Sequence, residues 1–495
     1  MEFATFVSLA IYIIVMLSIG WYAYRKSTDD VSGFMLGGRG LSPAVTALSA
    51  GASDMSGWIL MGLPGAMYVV GLSSAWIAVG LIIGAYLNYR VVAPRLRTYT
   101  EVANDSITLP DFFENRFQDK SHLLRLMSSL VIIVFFTLYT SSGIVAGGKL
   151  FESSFGLNYE FGLYVTAGVV VLYTLFGGFL AVSLTDFVQG CIMFIALVLV
   201  PISVIDNIGG IMEMTHTIRQ VNPDLLNLFK GASWLGIISS MAWGLGYFGQ
   251  PHIIVRFMAI RSIDDLPTAR RIGMSWMIVS ICGAMVTGFA GIAYVVKSGV
   301  TLTDPETIFI FLSQILFHPL IAGFLLAAIL AAIMSTISSQ LLVTSSSLTG
   351  DFYQLFCNKQ ASEKQLVRVG RLSVLLVALV AVYLAYDRNS SILHLVSNAW
   401  AGFGAAFGPV VIFSLYWKNM TRNGALSGMV AGAITVLIWI YAPITIDGKT
   451  LSAVMYEIVP GALMCSLFII MVSKLWPNTN EQIQSTFAEM KRHHS

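Results

Sequence analysis

The chain has 495 residues, of which 56% are hydrophobic and only 11% charged, with a formal net charge of +2 and a mean hydropathy of +0.77. Soluble globular domains carry roughly 25% charged residues, and no soluble core absorbs this much apolar surface. The small, dispersed positive charge also excludes a nucleic-acid-binding surface.

A helix of about 20 apolar residues crosses the roughly 30 Å hydrocarbon layer while satisfying its own backbone groups. Windows of that length predict thirteen spans, in one polytopic domain over 1–476 with 477–495 as a short cytoplasmic tail. The first covers 3–24; with no basic residue before it and no small-residue cleavage site after it, it reads as a retained helix rather than a signal peptide. The next three cover 43–70, 74–94 and 124–150, and the fifth 159–182. The sixth, 187–207, is the plainest, because Phe187 to Ile205 contains no charge. The seventh covers 234–258, the eighth 272–296 and the ninth 321–349, this last preceded by an apolar stretch, Ile308 to Phe317, suited to an interfacial or re-entrant segment. Spans at 369–386, 392–417, 423–442 and 457–476 complete the set.

Lys and Arg collect in cytoplasmic loops. With the amino terminus outside, 22 of the 28 basic residues fall in cytoplasmic segments, so the expected orientation is amino terminus out and carboxyl terminus in. Cys191, Cys282, Cys357 and Cys465 sit singly, without CxxC or metal-ligand spacing, and read as packing residues. His122, His216, His252, His318, His394, His493 and His494 are all expected away from span centres, so a proton relay is poorly supplied. No phosphate-binding loop points to ATP hydrolysis.

Two spans look broken. The second reads Ser49 to Trp58 as SAGASDMSGW and continues through Gly62, Pro64 and Gly65; the seventh reads Trp243 to Pro251 as WGLGYFGQP. Many secondary transporters consist of inverted repeats and hold their solute at mid-membrane, where one interrupted helix from each repeat unwinds. The two breaks lie five spans apart, and an odd number of spans inverts the second repeat, giving core repeats over about 43–207 and 234–417. Close helix packing also calls for glycines, but it gives no reason for a carboxylate, two tryptophans, a tyrosine and a proline at the same places.

Asp54 is the most informative residue. A carboxylate at membrane depth costs at least about 2.5 to 3.5 kcal/mol, so it should face the interior and meet a cation or a donor. It can help bind a cation, cap the freed amides of the broken helix, or both. No Lys or Arg is expected at its depth in the neighbouring spans. On the ninth span Ala332, Ser335, Thr336 and Ser339 fall at i, i+3, i+4 and i+7 and share one face. Such a stripe offers oxygen ligands to a hard cation such as sodium. Alternatively its hydroxyls bond back to carbonyls one turn earlier, the reading adopted for Ser338 and Ser345 to Ser347. Asp186 opens the sixth span, as a helix cap or on an ion path. Trp58, Tyr139, Trp243 and Tyr247 can wall an apolar ring while helix-end amides take a carboxylate, or belong to the interfacial aromatic belt. One acid without a matching base suits a small solute uncharged overall.

The runs LGGR (Leu36 to Arg39), TALSAGASDMSGW (Thr46 to Trp58), GLGYFGQPH (Gly244 to His252), AAIMSTISSQLL (Ala331 to Leu342) and WAGFGAAFGP (Trp400 to Pro409) resemble the sodium/solute symporter family over nearly the whole chain. Within it they are more similar to the proline-carrying branch than to branches taking sugars, pantothenate or other solutes. The resemblance implies an all-α integral membrane protein of the bacterial cytoplasmic membrane, with a leucine-transporter-type core of five-plus-five inverted repeats and broken helices 2 and 7. It implies sodium-coupled uptake of L-proline by alternating access, with sodium co-transported and no reaction catalysed. Sodium would lie on the carbonyls of Ala52, Met55 and Ala332 and the hydroxyls of Ser335 and Thr336, with Asp54 essential nearby. The substrate would meet Ser56, Trp58, Tyr139, Trp243, Tyr247 and Pro251. Arg39 would serve at the inner mouth, Asp186 along the ion's exit, and Ser339 on the pocket side, where some relatives carry cysteine. The competing expectations are a symporter of the same fold for another solute or for protons, and a non-transporting membrane sensor. The sensor is disfavoured by the short polar segment after Trp476.

Overall fold

The computed structural model describes residues 3–26, 30–389, 391–477 and 480–493, and His494 lies outside them. Among the described residues, ten helices are long and apolar enough to cross a membrane. Three of the thirteen expected spans are not among them as such. The second and seventh are divided into shorter pieces, and the fifth survives as a shorter apolar helix, Tyr159–Leu175.

Helix α1 (Phe3–Lys26) shows how the bundle meets lipid. Leu9, Tyr12 and Met16 pack inward, whereas Phe3, Phe6, Ile14 and Trp21 stay exposed, an arrangement only an apolar solvent tolerates. Helix α2 (Pro43–Asp54) starts where Ser42 accepts the Val45 amide and Pro43 fits the first turn. It ends at Asp54; a π-helical turn over Trp58–Gly62 follows, then α3 (Leu63–Val70). Helix α4 (Ala75–Leu87) leads through another π-turn into α5 (Ala93–Val102). The amphipathic α6 (Leu109–Phe117) precedes the long α7 (Leu123–Phe155).

Helix α8 (Tyr159–Ile208) is two helices joined at Gly178, whose φ of 56° and ψ of −148° only glycine adopts readily. A Cβ there would also sit 2.7 Å from the Phe34 ring. The break therefore precedes the expected boundary, and Asp186 lies about two turns inside the second half instead of capping its start.

The seventh span comprises α9 (Trp234–Met241), a tight 3-10 stretch over Ala242–Phe248, and α10 (Pro251–Ala259). Its glycines serve close approach: a Cβ on Gly244 would fall 2.2 Å from the Gly80 carbonyl, and one on Gly246 would fall 1.9 Å from the Trp400 indole nitrogen. Helix α11 (Leu266–Ser298) and the short α12 (Ile308–Leu316) lead to α13 (Pro319–Ser346). Every residue from Leu325 to Leu342 is buried, which makes α13 the axis of the bundle. Helix α14 (Glu363–Leu384), the pair α15 (Ile392–Ala406) and α16 (Gly408–Tyr416), α17 (Arg422–Tyr441) and α18 (Ile458–Leu475) complete it. An antiparallel hairpin, Thr445–Ile446 with Lys449–Thr450, turns on Asp447 and Gly448, both at positive φ. The tail is structured: α19 (Glu481–Arg492) is amphipathic, buries Ile483, Phe487 and Met490, and sets Phe487 against Tyr99 and the Arg116 guanidinium. All four cysteines are free, and Cys465 alone is buried.

Candidate functional site

The end of α2 brings a backbone carbonyl to the bundle axis. Ser335 Oγ on α13 donates to the Ala52 carbonyl at 2.7 Å and lies 3.1 Å from the Ala332 carbonyl, while Thr336 Oγ1 lies 3.3 Å from that same carbonyl. Four oxygens from two elements thus meet in a buried place. Cross-bonding and back-bonding coexist here, and turning the two hydroxyl protons aside would aim their lone pairs at a shared cation. Met55 is buried at the end of α2, its amide held by the Gly51 carbonyl at 3.0 Å. Ser338, Ser345 and Ser346 bond back within α13 as expected, whereas the Ser347 hydroxyl has no partner.

Asp54 is 2% exposed. Its Oδ2 accepts a short hydrogen bond from the Tyr247 hydroxyl, and its Oδ1 has no partner. The carboxylate takes no backbone amide among the described residues, so the capping alternative lacks a contact. The broken helix is held differently: Trp58 Nε1 donates to the Asp54 carbonyl at 3.2 Å, and the Ser56 hydroxyl faces the Trp58 amide at 3.4 Å.

Sequence reasoning missed a base. Arg256 on α10, inside the expected seventh span, is fully buried at 0% exposure, which overturns the expectation of no Lys or Arg in the spans neighbouring Asp54. Its Nη2 reaches Asp186 Oδ2 at 3.0 Å and Ser339 Oγ at 2.6 Å, its Nε reaches Ser49 Oγ at 3.0 Å, and its Nη1 reaches the His252 carbonyl at 2.6 Å. Ser49 also donates to Asp186 at 2.7 Å. A buried charge persists only where a partner and further hydrogen bonds offset its desolvation, and this network supplies both. Ser339, the fourth member of the stripe, therefore faces Arg256 rather than the four-oxygen cluster. The available signal was a base inside the seventh window and an acid at the edge of the sixth, natural partners for one another.

The aromatic residues converge on the second break. Tyr247 meets Trp400 edge-on at 5.2 Å, and the Trp400 indole donates to the Trp243 carbonyl at 2.8 Å, satisfying a group freed by the 3-10 stretch. Trp243 stacks on Tyr456 at 5.2 Å. Tyr139 is buried with its hydroxyl unpartnered. These residues do not share one open cavity. Asp54, Met55 and Tyr247 line a pocket with Asn88 and Tyr89; Trp243 lines an open vestibule beside Tyr456; Pro251 lines a third space with Leu109 and Ser346.

Both ends of the broken second span are laced shut. At its start Arg39 donates to Asp105 Oδ1 (3.0 Å), the Met258 carbonyl (2.7 Å) and the Ser106 carbonyl (2.8 Å), while Leu41 and Arg261 exchange backbone bonds with Ala259 and Leu41. At its far end, where Gly65 abuts Glu306, the Glu306 carboxylate accepts the amides of Ile392 and Leu393 at 3.2 and 3.3 Å and pairs with Lys149 at 3.2 Å. Neither Glu306 nor Lys149 was a sequence candidate.

The sodium:solute symporter family model matches residues 34–432. The chain is 60% identical over 492 residues to the osmoregulated proline transporter OpuE of Bacillus subtilis (strain 168), covering 99% of each. It is 58% identical to the sodium/proline symporter 2 of Staphylococcus saprophyticus, over 95% of this chain and 92% of that one. Among solved structures, a Na+-coupled sialic acid symporter in a substrate-bound outward-open state superimposes with a TM-score of 0.82 at 19% identity, over 97% of this chain and 100% of the other. The nucleobase-cation-symport-1 family transporter Mhp1 gives a TM-score of 0.55 at 13% identity, over 92% and 98%. At these identities the structural likenesses speak for the fold alone.

Proposed function

The chain belongs to the sodium:solute symporter family, and from that premise we propose that it takes up L-proline together with sodium by alternating access. The reading rests most heavily on one juxtaposition: a buried carboxylate oxygen without a partner, Asp54 Oδ1, two residues along the chain from the carbonyl that Ser335 reaches across from α13. An unpaired buried acid and a cluster of neutral oxygens together suit a cation and an amino group. The names of the full-length relatives, proline transporters and sodium/proline symporters, support the choice of solute.

The finer architecture is part of the proposal. Thirteen crossings, with the amino terminus outside, place Arg39 at the inner mouth and Glu306 at the outer one. Spans two to six and seven to eleven form the inverted repeats, the two interrupted helices being their first members. Sodium joins the carbonyls of Ala52, Met55 and Ala332 to the hydroxyls of Ser335 and Thr336, tying α2 to α13. That tie fixes the broken helix and completes a pocket from Ser56, Trp58, Tyr139, Trp243, Tyr247 and Pro251, with Ser339 and Asp186 on the ion's inward route. Rocking of the repeats then opens the Arg39 seam while the Glu306 seam stays shut. The membrane potential supplies about 2.3 kcal/mol per charge per 100 mV, which at one sodium per solute sustains roughly 50-fold accumulation.

The test is uptake of labelled L-proline into proteoliposomes with sodium and pH gradients imposed separately. Accumulation with inward sodium and none with choline supports the reading. Accumulation driven by a pH gradient in choline refutes it.

A further inference from the structure

His252 opens α10 directly after Pro251 and is fully buried. Neither ring nitrogen makes a hydrogen bond of full geometry, although the Ser53 backbone lies beside the ring. The ring stands edge-on to Phe136 at 5.2 Å and to Tyr139 at 6.0 Å. Its own carbonyl is engaged by Arg256, so the backbone is fixed while the imidazole is idle. A neutral imidazole carries one N–H donor and one acceptor nitrogen, and leaving such a group buried and unmet costs about 1 to 3 kcal/mol. Buried polar groups without partners are rare enough to need a reason. Burial in a packing role would suit an apolar side chain better, and Phe136 and Tyr139 already supply aromatic bulk there.

The idle groups lie around the same break. The Tyr139 hydroxyl, on the ring that meets His252, likewise makes no hydrogen bond of full geometry, with the Ser56 side chain close to it. Asp54, next to Ser53 in the chain, holds the bare Oδ1. Two potential donors and one bare acid oxygen match in chemistry the two ends of a zwitterion: donors for its carboxylate, an acceptor for its ammonium. We propose that His252 is a substrate contact, its ring N–H donating to the carboxylate of the transported imino acid while Asp54 takes the ammonium. The inference rests on the proposed proline transport and adds the residue that recognises the acid end.

The experiment compares reconstituted wild type with His252→Leu and His252→Gln, measuring sodium-dependent uptake of labelled L-proline and its inhibition by L-proline and by prolinamide, which keeps the ring amine but not the carboxylate. One hydrogen bond to a charged group corresponds to about 10- to 100-fold in affinity. His252→Leu is expected to lose that factor for proline but little for prolinamide, so that discrimination between them collapses. His252→Gln, which keeps a donor, is expected to restore most of it. Stabilisation of the purified protein by sodium alone, against choline, stays unchanged in both. Equal losses for proline and prolinamide, or unchanged proline affinity in His252→Leu, overturn the proposal. If His252→Leu does not fold, the Gln variant decides: wild-type discrimination with a folded protein supports the contact, and equal losses refute it. Absence of sodium-dependent proline uptake by the wild type defeats the transport reading itself, and this inference with it.

Discussion

Replacing Ser335 by alanine isolates the cation site. Ser335 Oγ approaches the Ala52 carbonyl at 2.7 Å and the Ala332 carbonyl at 3.1 Å, so the substitution removes one proposed sodium ligand and one tie between α2 and α13. An interaction of hydrogen-bond type with a charge contributes about 1.5 to 3 kcal/mol, and each 1.4 kcal/mol is about a factor of ten. Half-saturating sodium for proline uptake should therefore rise about 10- to 100-fold, with the maximal rate recovered at high sodium. The cost to folding, one lost neutral hydrogen bond of about 1 kcal/mol, is small beside a total of about 5 to 15 kcal/mol. Ser338→Ala is the control, because that hydroxyl bonds back to the Ser335 carbonyl in its own helix, at 3.1 Å, and reaches no atom of α2 among the described residues. The assay is initial proline uptake against sodium chloride, with choline chloride holding ionic strength constant. Equal half-saturating sodium in the two variants would refute the assignment of Ser335.

Three further outcomes follow from the buried contacts. Arg256→Met leaves Asp186 buried without its cation and should destabilise the detergent-solubilised protein by about 3 to 5 kcal/mol; adding Asp186→Asn should recover much of that loss, and additive losses on thermal unfolding would deny the coupling. Tyr247→Phe removes the donor to Asp54 Oδ2 and should weaken sodium-dependent proline uptake by about tenfold in half-saturating proline, checked by saturation kinetics. Gly246→Ala drives a methyl group to within 1.9 Å of the Trp400 indole nitrogen and should cost about 1 to 3 kcal/mol through overpacking, along with uptake. Gly168→Ala, which meets nothing within 4 Å, should lower neither the unfolding midpoint nor uptake.

Much of the fold was legible because the bilayer imposes it: apolar windows of fixed length must be helices, and Gly, Ser and Pro inside them mark where a helix stops. The end of α2 at Asp54 falls within the first of the two runs singled out on that basis, and α9 ends at Met241, two residues before the second. The stripe through Ala332, Ser335 and Thr336 was legible from helical periodicity, although the Ala52 carbonyl opposite was named only through family resemblance. What escaped depends on partners distant in sequence. Asp186 looked like a helix start because a charge beside an apolar run ordinarily marks an interface; its partner, Arg256, lies 70 positions away. Arg256 falls two residues inside the end of the seventh window, where a basic residue ordinarily marks the cytoplasmic end of a span. His252 was set aside as peripheral, and only the packing of Phe136 and Tyr139 around it shows how deeply it sits. The tail read as polar, but Ile483, Phe487 and Met490 line one helical face, and their burial depends on a surface made by other helices.

Coupling itself is tested most directly by following the ion instead of the solute. Proteoliposomes containing the wild-type protein are prepared with equal sodium on both sides and no membrane potential, and L-proline is added outside only. Tracer sodium should then accumulate inside, driven by the proline gradient, and should do so more slowly in Ser335→Ala at the same sodium concentration. Proline entry to equilibrium without any net sodium movement would contradict the account.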